Sequence, residues 1–265
     1  MLNHFMTASC YRAALAIFFS VLLSTSSGLA LSQSAATPAS EDVAARSIVE
    51  KADLVRFPAD GFQVDVDIIT TRDGERTEAR KYRVLSKGND STVVLTTEPA
   101  SERGQILLMK SRELWAFMPS VSQPIRLSLG QRLTGEVANG DLARANFAGD
   151  YVPKLLQSET FGGENYHVLE LTAVDRTVTY QRVVYWVRQS DAAPLKAEFY
   201  SLSNRLLKTC TYEKFQKMAG RARPTRLTMT DALRKGEQSI LEYSDMKLRD
   251  LPDKVFTKDY LKRLE

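Results

Sequence analysis

Phe62-Gln63-Val64-Asp65-Val66-Asp67-Ile68 alternates apolar and polar side chains at every step. A period of two puts Phe62, Val64, Val66 and Ile68 on one face of a strand and Gln63, Asp65 and Asp67 on the other. One greasy face and one wet face suit an antiparallel sheet covered on a single side. Asp73-Gly74 then supplies a hairpin turn into a second strand around Tyr82 and Val84. The rhythm continues outward from there. Gly88-Asn89-Asp90 turns into a strand over 91–97, and strands follow at 104–110, 113–118 and 124–127. After a break they resume at 153–161, 164–173, 177–188, 195–202, 205–215, 224–233 and 237–248, with turns at Gly162-Gly163, Ser203-Asn204 and Lys235-Gly236.

Two stretches leave this period. Ser40 is predicted to cap a helix, with Glu41 and Asp42 placed well for its dipole. Ala44, Ile48, Ala52 and Val55 recur at helical spacing, and Pro58 closes the segment. Over 128–147, Leu129, Leu133 and Val137 lie four apart, with Gly130, Gly135 and Gly140 between them. One or two short amphipathic helices are expected there, in a connection long enough to be functional. About 11–12 meandering strands with two helical interruptions make the chain mainly β, a strongly curved sheet or incomplete barrel with helices over its mouth. Periodicity does not separate a hollow interior from one packed by its own side chains. A short helix from Lys258 is expected to end the chain.

Residues 1–40 contain no acid, and Arg12 precedes the apolar run Ala13-Ala14-Leu15-Ala16-Ile17-Phe18-Phe19-Ser20-Val21-Leu22-Leu23. That run is short for a span, which needs roughly 20 apolar residues. With Gly28-Leu29-Ala30 and Ser34-Ala35-Ala36 after it, it has the layout of a cleavable secretory peptide. The expected organisation is a signal at 1–30, cut as late as 36, a small polar tether at 31–40 and one domain over 41–265. Cys10 precedes the apolar run, so it is not the lipid-bearing cysteine of a lipoprotein signal. Export past the inner membrane is the expected fate.

Loss of Arg12 takes the net charge from +4 to +3, too small an excess for a nucleic-acid binder. The densest basic stretch, Arg221-Ala222-Arg223-Pro224-Thr225-Arg226, reads as a solvated strand end. Cys210 alone remains after cleavage, so stability rests on burial, and Cys210 reads as a small core residue. His167 sits in a strand interior with no nucleophile elbow near it. One histidine and one cysteine far apart make no metal cluster, and no glycine-rich phosphate loop leads from a strand into a helix. Asp65 and Asp67 share a strand face that solvent explains. No enzyme, cofactor or metal is expected.

Four blocks carry a resemblance. Gly104-Gln-Ile-Leu-Leu-Met-Lys-Ser-Arg-Glu-Leu-Trp115-Ala-Phe-Met-Pro119, Pro194-Leu-Lys-Ala-Glu-Phe-Tyr200 running on to Leu206-Leu-Lys-Thr209, Pro224-Thr-Arg-Leu-Thr-Met-Thr-Asp231 and Leu251-Pro-Asp-Lys-Val-Phe256 stand in order along the domain. In that order they resemble the outer-membrane lipoprotein-sorting (LolA/LolB-like) family, in its uncharacterised periplasmic branch linked to RND-type lipid exporters. The resemblance spans roughly 41–265. It implies an unclosed antiparallel β-barrel with a helical lid over an apolar cavity that shields acyl chains of lipids or lipoproteins in the periplasm. It further implies an inner-membrane exporter and an outer-membrane acceptor as partners, and a monomer. No arginine here takes over the functional arginine of the dedicated lipoprotein carrier.

On that reading the cavity lining is expected from Phe62, Val64, Val66, Ile68, Tyr82, Val84, Ile106, Leu108, Leu114, Met118 and Trp186. The lid is expected from Ile48, Val55, Leu129, Leu133 and Val137. Each could equally fill an ordinary core. Trp115 and Phe117 fall on the face opposite Leu114 and Met118. Two other functions fit the same fold: an envelope sensor that regulates a partner protein and, more remotely, a lipid-acting hydrolase.

Overall fold

The computed structural model describes residues 42–261, apart from 89 and 145. The expected signal, the tether, Ser40 and Glu41 lie outside the described residues. Helix α1 (Val43–Arg56) is capped by Asp42, whose carboxylate accepts from the Ala45 N–H at 3.0 Å. The cap expected at Ser40 is thus set at Asp42. Its buried stripe runs through Ala45, Val49 and Ala52, while Ala44 is exposed, one position off the expected stripe. Small side chains on that stripe let the helix lie close to the sheet. The same inner face also carries Asp53 and Arg56, both buried.

From there the chain builds two antiparallel meanders. The first contains β1 (Phe62–Arg72), β2 (Glu75–Lys87), β3 (Ser91–Glu98), β4 (Ile106–Lys110), β5 (Glu113–Met118) and β6 (Val121–Leu127). A connection follows, with β7 (Arg132–Thr134), β8 (Val137–Ala138), α2 (Asn139–Ala143) and α3 (Phe147–Asp150). The second meander is β9 (Tyr151–Phe161), β10 (Glu164–Ala173), β11 (Arg182–Arg188), β12 (Pro194–Tyr200), β13 (Leu206–Met218), β14 (Arg221–Asp231) and β15 (Glu237–Leu248). A final α4 (Lys258–Leu261) lies where a helix from Lys258 was predicted. Strands β1 and β15 pair and join the meanders into one 13-stranded sheet whose edges are β6 and β9. The sheet is not closed. The connection over 128–150 runs from one free edge to the other.

Ion pairs show how far the sheet curls. Strands β4 and β10 stand nine places apart in the sheet order, roughly 40 Å if the sheet were flat. Yet Arg112, in the β4–β5 turn, pairs with Asp175, beyond β10, and with Asp150 at 3.0 Å. Right-handed strand twist accumulated over so many strands brings the two halves round to face each other.

The two faces hold separate clusters. The concave cluster takes Val64, Val66 and Ile68 from β1, Tyr82 and Val84 from β2, Leu114 from β5 and Leu169, Tyr185, Phe199, Tyr212 and Leu241 from the second meander, together with α1, Leu142 and Phe147. On the convex face, Ile106, Leu108 and Phe117 pack with Leu251, Val255, Phe256 and Leu261 of the C-terminal segment. Tyr166, Val168 and Trp186 form a third group there. Burial also pushes the concave-side Cys210 thiol up to about 12, as suits a core residue.

The basic stretch is not simply solvated. Arg223 is buried and donates to the Leu54 carbonyl at 2.7 Å and the Val55 carbonyl at 3.2 Å, meeting acceptors left over in the last turn of α1. Arg226 pairs with Glu242, and of the three arginines Arg221 is the exposed one.

Candidate functional site

The concave face and its cover make the candidate site. Of the lining expected from sequence, Phe62, Val64, Val66, Ile68, Tyr82, Val84 and Leu114 lie together in the concave cluster. Ile106 and Leu108 do not. Their cross-strand partners are Phe117 and Trp115, so this side of β4 looks outward, under the C-terminal segment. Leu107 and Met109 point inward instead. Trp186 also faces outward: Tyr185 is the interior residue of β11, while Trp186 donates to Glu159 at 2.9 Å and carries the Lys196 ammonium 3.8 Å over its ring. Met118 is half-buried at the rim, where it shares a cavity of about 260 Å³ with Tyr82, Leu107, Ile106, Leu127 and Leu133.

The cover comes from α1 and the 128–150 connection. Leu129 and Val137 are buried in the concave cluster, Ile48 and Leu133 pack against it half-buried, and Val55 is buried. The stretch expected as amphipathic helix begins instead as the β7–β8 hairpin. Gly135 at its turn has φ +48°, and a Cβ there would lie 2.1 Å from Thr70 Oγ1 and 2.3 Å from Ser239 Oγ. Only glycine seats the turn this closely. Two bonds fix it further: Glu136 N–H donates to Ser239 Oγ at 2.9 Å, and Thr134 Oγ1 donates to Glu78 at 2.7 Å.

Buried charge fastens the rest. Arg144 holds Asp150 at 2.7 Å and the Ser111 carbonyl at 2.6 Å. Tyr180 donates its hydroxyl to Asp141 at 2.7 Å, and Lys208 approaches the same carboxylate at 3.4 Å. Glu136, Asp231 and Glu237 converge closely enough to suggest a cation site, but Arg234 sits among them at 2.9, 3.0 and 3.1 Å and supplies the positive charge itself. Burial raises Glu136, with a shared hydrogen bond to Asp231 acting the same way. Asp231 is held down to about 2: burial acts upward, but the Arg234 and Leu233 N–H groups outweigh it. With these fasteners closed, the space enclosed around Arg56 and Phe147 is about 20 Å³, and that near Phe57 and Val84 is about 10 Å³. Either holds about one water at most.

Asp53 joins α1 to α3. It accepts from the Ala148 N–H at 2.8 Å and from Arg56 at 3.3 Å. Burial nevertheless raises its carboxyl from 3.8 to about 6, with the nearby Asp150 adding to the shift and Arg56 opposing it. The folded chain therefore holds this proton more tightly than the unfolded one, and stability falls as pH rises between about 4 and 6. From pH 7.5 to pH 5 the gain expected from Asp53 is about 1.4 kcal/mol. Glu136, raised as well, acts in the same sense. His167, lowered by burial, acts in the opposite sense. Comparing wild type with Asp53→Asn cancels both. The stability gap in urea titrations should shift by about 1.4 kcal/mol in favour of wild type on going to pH 5. A gap that does not move with pH would mean that Asp53 stays ionised throughout.

The fold is that of an unclosed antiparallel half-barrel whose open side is crossed by its own helices. A family model described as an uncharacterized protein matches residues 88–263. A LolA superfamily protein from Nitrosomonas europaea is 64% identical, with a TM-score of 0.78 over 82% of this chain and 98% of that one. The chain belongs to the LolA superfamily. Two more distant structures share the fold. A DUF1329 family protein from Desulfovibrio piger has 22% identity and a TM-score of 0.72, over 83% of this chain and 98% of that one. A domain named as an outer membrane lipoprotein-sorting protein, from Vibrio parahaemolyticus, has 23% identity and a TM-score of 0.71, over 83% and 99%. No curated protein matches the chain.

Proposed function

We propose that the protein is a periplasmic carrier that shields acyl chains of lipid or lipoprotein on its concave face, and not an enzyme. The observation that carries this reading is the cover. It spans the gap between the sheet's two free edges, so it can leave without breaking a strand pairing. An acyl chain in water costs about 0.8 kcal/mol per exposed CH2 group, and the face under the cover is apolar. Because the centre of the closed interior, around Arg56 and Phe147, has room for about one water, cargo that reaches past the rim cavity at Tyr82 and Met118 must exchange with the cover's own side chains, Leu142, Ala143 and Phe147. The ion pairs that fasten the cover set the cost of that exchange. Membership of the LolA superfamily and the name of the Vibrio relative support this reading. Delivery from an inner-membrane RND-type exporter to an outer-membrane acceptor by a monomer completes the proposal.

A second reading rests on the convex face. There Phe161, 66% exposed, joins Tyr166, Trp186 and Leu195 around a groove of about 340 Å³. Such a groove favours an envelope sensor that docks on a partner protein.

Native mass spectrometry on protein purified without detergent distinguishes the two. A lipid or acyl-peptide adduct is expected, lost in a folded Val66→Glu variant and kept in Leu108→Glu, whose site is on the other face. No adduct and no uptake of an apolar dye would defeat the carrier and favour the sensor.

A further inference from the structure

Burying a guanidinium is costly unless its donors are met. Arg56 presents five N–H donors and is 7% exposed, yet its side-chain acceptor is Asp53, at a long 3.3 Å. That carboxylate is shared with the Ala148 N–H. The Arg56 Nε has no hydrogen-bond partner among the described residues. Around it stand ring faces: Phe147 at 4.2 Å from the guanidinium carbon to the centroid, and Phe57 and Tyr212 each at 5.9 Å. Cation–π contact with such faces offsets part of the burial cost, but it accepts no hydrogen bond in the plane of the guanidinium.

A second donor lies beside the first. Tyr185 is fully buried, its ring 5.3 Å from Phe147 and 6.1 Å from Tyr212, and its hydroxyl too has no hydrogen-bond partner among the described residues. Thus the middle of an apolar bowl holds a cation and a phenol with hydrogen bonds to give. A ligand that answers such a group brings acceptors and negative charge on an apolar body.

We propose that Arg56, with the Tyr185 hydroxyl, anchors the oxyanion head of an acyl-chain amphiphile, a carboxylate or a phosphate. This rests on the acyl-chain reading above and narrows it to anionic cargo. Asp53 occupies part of the anion's place when the cover is closed. Its carboxylate meets Arg56 only at 3.3 Å, which leaves guanidinium donors to share. Once Phe147 has left with the cover, the Phe57 and Tyr212 rings beside the guanidinium serve as the wall for the first methylenes of the tail.

The test is equilibrium binding of three probes to the full mature chain at pH 7.5: oleate, oleoyl lysophosphatidate and the neutral oleyl alcohol. Wild type should bind an anionic probe at least about 10-fold more tightly than the alcohol, roughly the worth of one charge-assisted contact. The tighter of the two anions then identifies carboxylate or phosphate as the natural head. Arg56→Met should bring that anion down to the alcohol's affinity, and Tyr185→Phe should narrow the preference by a few-fold. Circular dichroism checks folding; if Arg56→Met is unfolded, Tyr185→Phe and the wild-type comparison decide. Equal binding of all three probes by wild type, or an anion preference that survives Arg56→Met, overturns the anchor while leaving carriage intact. Binding of none overturns both.

Discussion

Asp150→Ala should lower the unfolding free energy by about 3–5 kcal/mol, the cost of leaving a buried charge without its partner. Arg144 has a side chain 6% exposed, and Asp150 answers it through both carboxylate oxygens. Without Asp150, Arg144 keeps only the Ser111 carbonyl among the described residues, and Arg112 loses one of its two acidic partners there. The position matters because these residues come from three places: the cover, the β4–β5 turn and the loop after β10. Cutting the knot should therefore release the cover before it unfolds the sheet. Hydrogen exchange should quicken over 139–150 ahead of β1 and β15. Replacing both partners with apolar residues, Arg144→Met with Asp150→Leu, should recover most of the loss, because the pair's own net worth is small compared with the cost of breaking it. A single variant that loses less than about 1 kcal/mol would show that Arg144 finds another acceptor and that the pair does not hold the cover.

The sheet was legible in the sequence wherever one strand face was wet. Strand β1 alternates, and the structure places all four of its predicted inner residues on the concave side. Strands β10 and β15 have the predicted bounds, 164–173 and 237–248. Orientation was lost where both faces are apolar. Ile106-Leu107-Leu108-Met109 and Val183-Val184-Tyr185-Trp186-Val187 offer no polar residue to mark a side. In β4 the reason lies far along the chain: the C-terminal Leu251, Val255 and Phe256 cover the outer face, so it too is greasy. A period of two cannot reveal such a cover. The hairpin at 132–138 imitated a helix because Leu129, Leu133 and Val137 happen to lie four apart, whereas the backbone there is set by the turn at Gly135. The buried charges were hidden most completely. Asp53 and Arg56 lie on the inner face of α1 beside Val49, Ala52 and Val55, whereas a charged residue ordinarily marks the solvent side. Arg223 likewise stands in a basic run that looks solvated. A charge at a position the helical period assigns to the core is the signal that could have found the first two.

Phe147→Ala should cost about 3–5 kcal/mol of stability, as for other large-to-small changes in a core, and should also make the protein take up ligand more readily. The ring packs edge-on to Tyr151 and Tyr185 at 5.5 and 5.3 Å and stacks against Arg56. In the closed form it fills the space beside the guanidinium, where the enclosed volume is otherwise about 20 Å³. If cover and cargo compete for that place, removing the ring weakens the closed state more than the loaded one. Apparent affinity scales with the fraction of molecules that are open, and each 1.4 kcal/mol lost from closure is worth tenfold until the open state dominates. A closure term reduced by about 3 kcal/mol would thus tighten oleate binding by up to roughly 100-fold, while melting shifts downward. Titration of oleate against wild type and variant, both checked for secondary structure, measures this. A tighter apparent Kd with a lower Tm marks Phe147 as a stand-in for cargo. A weaker Kd would instead mark the ring as part of the ligand's own wall, and the exchange of cover for cargo would have to be assigned to Leu142 and Ala143 alone.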